Sequence, residues 1–289
     1  MDLQLFSTTN NRLSNRIAKS DCQIDRIGTH QMSIPVLFVR GFNTKLIQRK
    51  GGIGHDEYSV FETYFRLSNY RVEFFDYSPK ESLDSVIARL DQTLAQGEFR
   101  VLIGHSMGGG LLFRYMASNP DSVVRYERII LLMPMIQRVP RLSTLFSLPS
   151  IERLSVPKMF LFPNQKLFRT GNILNDNLGL VPIRQLVGMY RTVLSDDIPG
   201  IFNKHPNCYL FYADKERFSN MSKDVLDRLN AKNVVHVEGH HECFNSILTT
   251  DSSVFFQRLT EVLRGTYGQA ENGSASQERV VNVSKVPDL

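Results

Sequence analysis

The 289-residue chain has only three cysteines, no apolar run long enough to cross a bilayer and no pair of cysteines at metal-binding spacing. Cys22, Cys208 and Cys243 stand singly, which excludes a stapled secreted scaffold and a C-x-x-C metal site; they are expected as buried thiols. A membrane-spanning helix needs about 20 successive apolar residues, and nothing here approaches that. The N-terminus (Asp2, Gln4, then Thr8 to Arg12) lacks a basic-then-apolar leader pattern, so the expected location is cytoplasmic. The net charge of +5 comes without a basic-aromatic recognition motif, which argues against nucleic acid as a partner.

What is present is the composition of an ordinary globular protein, with 42% hydrophobic and 22% charged residues. The length suffices for one large α/β domain or two small ones.

The most informative stretch is Val101 to Gly110. An apolar β-prone run leads to Gly104-His105-Ser106-Met107-Gly108, and Leu111, Leu112, Phe113, Tyr115 and Met116 then follow in a helical pattern. Strand, sharp turn and helix around G-x-S-x-G is the layout of a nucleophile elbow, in which the serine Oγ is held clear of the sheet. Gly104 and Gly108 then keep Cβ atoms away from places where helix and strand backbones nearly touch. The competing reading is a glycine-rich turn that merely packs or binds a phosphate.

Strand and helix patterns alternate around this stretch. Strands are predicted at Ile34 to Val39, Arg71 to Tyr77, Arg128 to Met133, Cys208 to Ala213 and Val234 to Val237. Helices are predicted at Tyr58 to Leu67, with Phe61, Tyr64, Phe65 and Leu67 on one face, at Ser82 to Ala95 with Ser82 as cap and Leu83, Val86, Ile87, Leu90 and Leu94 at helical spacing, at Met221 to Leu229 and at Ser253 to Leu263. Such alternation implies a mostly parallel central sheet flanked by helices, with the chemistry at the carboxyl ends of the strands. Gly41, Asp76, Ser106 and Pro134 all fall there.

Four stretches fall outside the alternation. Residues 1–32 are polar, with an edge hairpin conceivable from Leu3 to Phe6 and Cys22 to Ile27; Lys45 to Asp56 reads as a glycine-rich loop; and 268–289 has the composition of a disordered tail. Between core segments 33–134 and 206–267, residues 135–205 break the pattern with six prolines, a strand expected at Lys158 to Phe162 and a helix at Ile183 to Leu194. This is expected to be a helical cap insertion. Nine basic residues against four acidic ones give it an excess equal to the net charge of the whole chain. Such a lid can approach an anionic membrane surface while its apolar residues line an acyl channel; the plainer alternative is a solvated face.

A serine hydroxyl needs a base to take its proton, and an acid behind the base to fix its tautomer. For an elbow the required chain order is serine, acid, histidine. Asp214 and Glu216 follow the strand at Cys208 to Ala213, and His240 and His241 follow the last strand. From position alone, either carboxylate and either imidazole qualifies.

Several of these residues also carry a resemblance. Ala213-Asp214-Lys215-Glu216-Arg217-Phe218 resembles the A-x-x-E-R-V turn of bacterial lysophospholipases of the α/β-hydrolase superfamily, and His241-Glu242-Cys243-Phe244-Asn245 resembles their H-E-x-x-N run. Gly104-His105-Ser106-Met107-Gly108-Gly109 matches the G-H-S-M-G-G elbow shared with monoacylglycerol lipases. The resemblance spans about Pro35 to Leu263 and is weak across the cap. It implies an α/β-hydrolase fold, with Ser106 as nucleophile, Glu216 as acid and His241 as base. The backbone amides of Phe42 and Met107 would form the oxyanion hole. The implied activity is hydrolysis of a carboxylic ester, a lysophospholipid or monoacylglycerol, with neither metal nor organic cofactor. Other substrates for the same triad would be a thioester, a lactone or a carbon–carbon bond; a non-catalytic membrane-associated protein is the reading from another class. The chain departs from many relatives in having Arg40-Gly41 where they carry His-Gly. Glu238-Gly239 also sits one residue closer to the histidine than in some of them, which keeps His240 as an alternative base.

Overall fold

Short β-branched and apolar runs form strands close to their expected places. A computed structural model describes residues 33–42, 59–78, 80–137, 148, 150–157, 180–195, 197–214, 221–239 and 250–268. Within these, the chain runs β1 (Ile34–Val39), α1 (Ser59–Leu67), β2 (Tyr70–Phe75), α2 (Leu83–Gln96), β3 (Val101–His105), α3 (Met107–Ser118), a short α4 (Pro120–Val123) and β4 (Arg128–Leu132). A short pair of antiparallel strands, β5 (Ser155–Pro157) and β6 (Leu180–Pro182), follows, then α5 (Arg184–Gly188), which continues as a π-helical turn over Met189–Val193, and α6 (Ile198–Phe202). The chain returns to the sheet with β7 (Cys208–Ala213), α7 (Lys223–Leu226), β8 (Val234–Val237) and α8 (Thr250–Arg264).

The large sheet has six strands in the order β2-β1-β3-β4-β7-β8, with every neighbouring pair parallel. Parallel strands need crossovers, and crossover helices cover both faces of the sheet. The alternation along β1 shows this directly. Leu37 and Val39 belong to a core shared with α2 and α3, while Val36 and Phe38 pack into a second core with Phe61 and Phe65 of α1 and Phe255 and Leu259 of α8. The phenol of Tyr64 lies 2.8 Å from Thr260 Oγ1, which donates to Phe256 O, so Tyr64 is the donor joining α1 to α8.

Met189, Val193, Ile198 and Phe202 lie in the same core as α2 and α3. Ile151, Ile183, Val187, Tyr190 and Leu194 form a smaller cluster of their own. Among the described residues no helix is long and apolar enough to cross a membrane.

Local differences from the sequence expectation have physical reasons. Leu67, expected on the apolar face of α1, is 80% exposed: the stripe ends at Phe65, and Asn69, at φ 61°, turns the chain into β2. The helix expected over Met221 to Leu229 shortens to Lys223–Leu226, because Arg228 and Leu229 bond to carbonyls three residues back. The second predicted strand ends at Phe75, leaving Asp76 and Tyr77 beyond it. The N-terminal hairpin, the 45–56 loop, the 158–162 strand and, but for residue 268, the tail lie outside the described residues, as do Cys22 and Cys243. Cys208 is buried, and burial pushes its thiol pKa well up.

Candidate active site

Between Val101 and Phe113 every residue is buried except Ser106, which is half-buried. Ser106 has φ 53° and ψ −118°, a backbone conformation that costs a residue with a Cβ about 1–3 kcal/mol. Three main-chain hydrogen bonds hold it. Its N–H donates to Leu132 O at the end of β4 (2.9 Å), and its carbonyl accepts from Gly110 N (3.1 Å) and Met135 N (2.9 Å). The serine is thus fixed from the neighbouring strand as well as from its own helix.

The elbow closes only because side chains are missing around it. A Cβ on Gly104 would stand 2.7 Å from Gly108 O, and one on Gly108 would overlap the carbonyl oxygens of Val39 and Arg40. Gly109 and Gly110, which the motif does not single out, are equally confined: a Cβ on Gly109 would meet Pro134, and one on Gly110 would meet Met135 O and the Met189 side chain. The run of three glycines was their signal in the sequence.

Both candidate oxyanion donors lie beside Ser106 in the chain or the sheet. Met107 opens α3, where the first amides have no intrahelical acceptor. Phe42 follows β1, which pairs with β3 so that Val39 stands opposite Gly104, two residues before the serine. The contact of Gly108 with the carbonyls of Val39 and Arg40 joins the two segments. Both side chains are buried.

Arg40, just past β1, is braced from β2 and the two residues that follow it. Its Nε lies 3.2 Å from Asp76 Oδ1 and its guanidinium sits 4.3 Å over the Phe74 ring. Its carbonyl accepts the buried hydroxyl of Tyr77 at 2.8 Å. Burial, with the charge of Asp76 adding to it, pushes the Tyr77 phenol well above its ordinary pKa, so it stays a protonated donor. Sequence patterns alone did not mark Tyr77 as a support for this loop.

On the other side of the site, Asp214 follows β7 directly and is exposed. Its N–H donates to Val237 O (3.1 Å), and its Oδ1 accepts the N–H of buried Gly239 (2.7 Å). The carboxylate therefore anchors the turn that leads into His240. Gly239 has φ 121°, a conformation suited to glycine. Glu216, His240 and His241 lie outside the described residues. The structure places Ser106, Met107, Phe42 and Asp214 at one edge of the sheet, since each follows the carboxyl end of a parallel strand. Removing the anchor leaves a buried donor without an acceptor, so Asp214→Ala is expected to lower stability by about 1–3 kcal/mol in chemical denaturation. Asp214→Asn, which keeps an oxygen there, is expected to lose less than half of that.

No protein-family profile matches the chain, and no curated protein matches it by sequence. Solved structures do. A structure from the LipS and LipT pair of metagenome-derived lipolytic enzymes superposes with a TM-score of 0.52 at 11% identity, covering 81% of this chain and 94% of its own. MGS-M2, an α/β hydrolase enzyme from a deep-sea metagenome library of the Medee basin, gives 0.51 at 10% identity over 88% and 94%. BpoC of Mycobacterium tuberculosis H37Rv, named as a non-heme bromoperoxidase, gives 0.50 at 14% identity over 79% and 92%. The fold is that of the α/β hydrolases.

In this α/β-hydrolase fold, the segment following β4 comes back onto the elbow helix. Met135 and Met189 both meet Gly110, one helical turn past Ser106. Met189 opens the π-helical turn, a geometry that recurs at functional sites. Upstream, the fully buried Gln185 donates its amide to Ser78 O and Glu81 O, both at 2.8 Å. The loop between β2 and α2 is thereby fastened to α5.

Proposed function

We propose that the chain is a serine hydrolase that cleaves a carboxylic ester through an acyl-enzyme, acting on a single-chain lipid such as a lysophospholipid or monoacylglycerol. The observation that carries this reading is the backbone of Ser106: a strained serine, held by three main-chain bonds at the carboxyl edge of the sheet, has no packing role that glycine would not fill better. The anchoring of the turn before His240 to Asp214, two residues before Glu216, supports it, because acid and base then leave adjacent strands.

In the proposed reaction His241 takes the proton from Ser106 Oγ as the oxygen attacks the ester carbonyl, and Glu216 stabilises the imidazolium that forms. The amides of Phe42 and Met107 donate to the oxyanion. As the tetrahedral intermediate collapses, the C–O bond to the alcohol breaks and His241 returns the proton to the leaving oxygen. Water, deprotonated by the same imidazole, then attacks the acyl-serine and frees the carboxylic acid. The chain's own residues supply every proton transfer. The lipid preference rests on the motif resemblance around Ser106, Glu216 and His241.

A fluorophosphonate probe tests the reading directly. Wild-type protein is expected to be labelled and Ser106→Ala to remain unlabelled; equal labelling of both would end the assignment. His241→Ala is expected to slow labelling far more than His240→Ala, and Glu216→Gln far more than Asp214→Asn. Either order reversed would transfer the role to the neighbour.

A further inference from the structure

A cleft of about 570 Å³ lies between the start of α2 and the segment carrying β5, β6 and α5. That volume is in the range of small-molecule sites, roughly 300–1,000 Å³. Leu83 and Leu154 supply apolar wall, and Lys80, Arg153 and Arg184 bring three positive charges. Among the described residues the one acidic residue lining it, Glu152, is already committed, its carboxylate 2.7 Å from Arg191 Nη1. Glu81, next to Lys80, is likewise held by Arg89 at 3.1 Å. None of the three cations pairs with a carboxylate among the described residues.

The three charges come from separate segments tied together at short range. Lys80 sits in the loop that the buried Gln185 clamps through Ser78 O and Glu81 O. Arg184 opens α5 beside that glutamine. Arg153 ends a 3₁₀ turn, and the following residue, Leu154, accepts the N–H of Ile183 through its carbonyl (3.2 Å). Gly188 presses on Leu83, where a Cβ would stand 2.8 Å from Leu83 Cδ2, so α5 and α2 cannot slide apart without losing core contact. Three like charges so held repel one another, and an anion between them relieves that repulsion while guanidinium groups offer it fixed forks of donors.

We propose that this cleft binds a single-chain amphipathic anion, its phosphate or carboxylate head on Lys80, Arg153 and Arg184 and its alkyl chain along Leu83 and Leu154. None of the described residues lining the cleft belongs to the proposed catalytic set, and the binding stands whether or not the serine is catalytic.

Dodecyl phosphate, used below its micelle concentration, is a suitable probe because it carries no carboxylic ester and so reports binding apart from turnover. Calorimetric titration of the full chain is expected to show one saturable site that weakens as ionic strength rises. Arg153→Gln and Arg184→Gln are each expected to lower its affinity by about tenfold. Both side chains are exposed, and a wild-type melting temperature for each variant excludes a folding effect. Inorganic phosphate is expected to bind the same site far more weakly, and dodecyltrimethylammonium not to compete. Dodecyl phosphate binding unchanged in both arginine variants would overturn the assignment. So would equal affinity for inorganic phosphate, competition by the cationic detergent, or no binding at all.

Discussion

Ser106→Gly is expected to be inactive and yet more stable than Ser106→Ala, by about 0.5–2 kcal/mol. The usual order is the reverse, because glycine gains more freedom on unfolding and loses about 0.5–1 kcal/mol against alanine in regular structure. At φ 53° and ψ −118° the Cβ itself is the source of strain, worth about 1–3 kcal/mol, and only glycine removes it. Both substitutions delete the hydroxyl, so on the proposed mechanism both are expected to lose turnover by about 10⁴-fold or more. Urea denaturation of the pair, with ester hydrolysis measured alongside, gives both quantities. A glycine variant less stable than the alanine variant would mean that the serine backbone relaxes in solution. That would remove the strongest structural argument for its catalytic role.

Gly108→Ala carries the largest expected loss of stability, about 3 kcal/mol or more, and failure to fold is within that range. Alanine is the better helix former by about 1 kcal/mol, and Gly108 is the second residue of α3, so propensity alone predicts a gain. Packing reverses the sign. The added methyl would overlap the carbonyl oxygens of Val39 and Arg40, which are backbone atoms of a central strand and the residue after it. No rotamer change can make room, and α3 would have to lift off β1. The same movement would carry Ser106 and the Met107 amide away from the Phe42 segment after β1, so any folded fraction is expected to react more slowly with the fluorophosphonate probe. Gly268→Ala is the matching control: a Cβ there meets no atom of the described residues within 4 Å, although at φ 75° it carries its own modest strain. A Gly108→Ala protein that melts with the wild type would show that the close approach of helix and strand is not maintained.

Much of the fold was legible because its signals are local. Cys208–Ala213 and Val234–Val237 have the predicted bounds, since a buried parallel strand is a continuous apolar run between turn residues. Ser82 caps α2 as expected, its Oγ accepting from Ser85 N at 3.2 Å. The helical spacing of Leu83, Val86, Ile87, Leu90 and Leu94 likewise marked the face that α2 turns to the core, where all but the half-buried Ile87 are buried. The failures occur where a neighbour distant in sequence decides. Leu67 keeps the helical spacing, but it is the last residue of α1, where the chain turns into β2, and it stays exposed. Asp214 and Glu216 were equivalent as residues past a strand end, and only the bond to Gly239 shows what the aspartate carboxylate does. Arg40 read as a histidine replaced; its contacts with Asp76, Phe74 and the Tyr77 hydroxyl make it part of the support for the loop carrying Phe42.

From its order of residues alone, the chain determined the elbow and its glycines, the parallel alternation, and the sequence of hydroxyl, carboxylate and imidazole along the backbone. The first two depend on spacing within some ten residues, where strand and helix periods fix which way side chains point; the third is the order of those residues along the chain. The tertiary structure decided what reaches across those spans: Leu132 and Met135 bonding to the serine backbone, Asp214 reaching the turn after β8, and three cations from separate segments lining one cleft. Those contacts follow from the strand order β2-β1-β3-β4-β7-β8 and from Gln185 clamping a loop about a hundred residues earlier. Burial of both sheet faces selects that arrangement as a whole, so no single stretch of the chain encodes it.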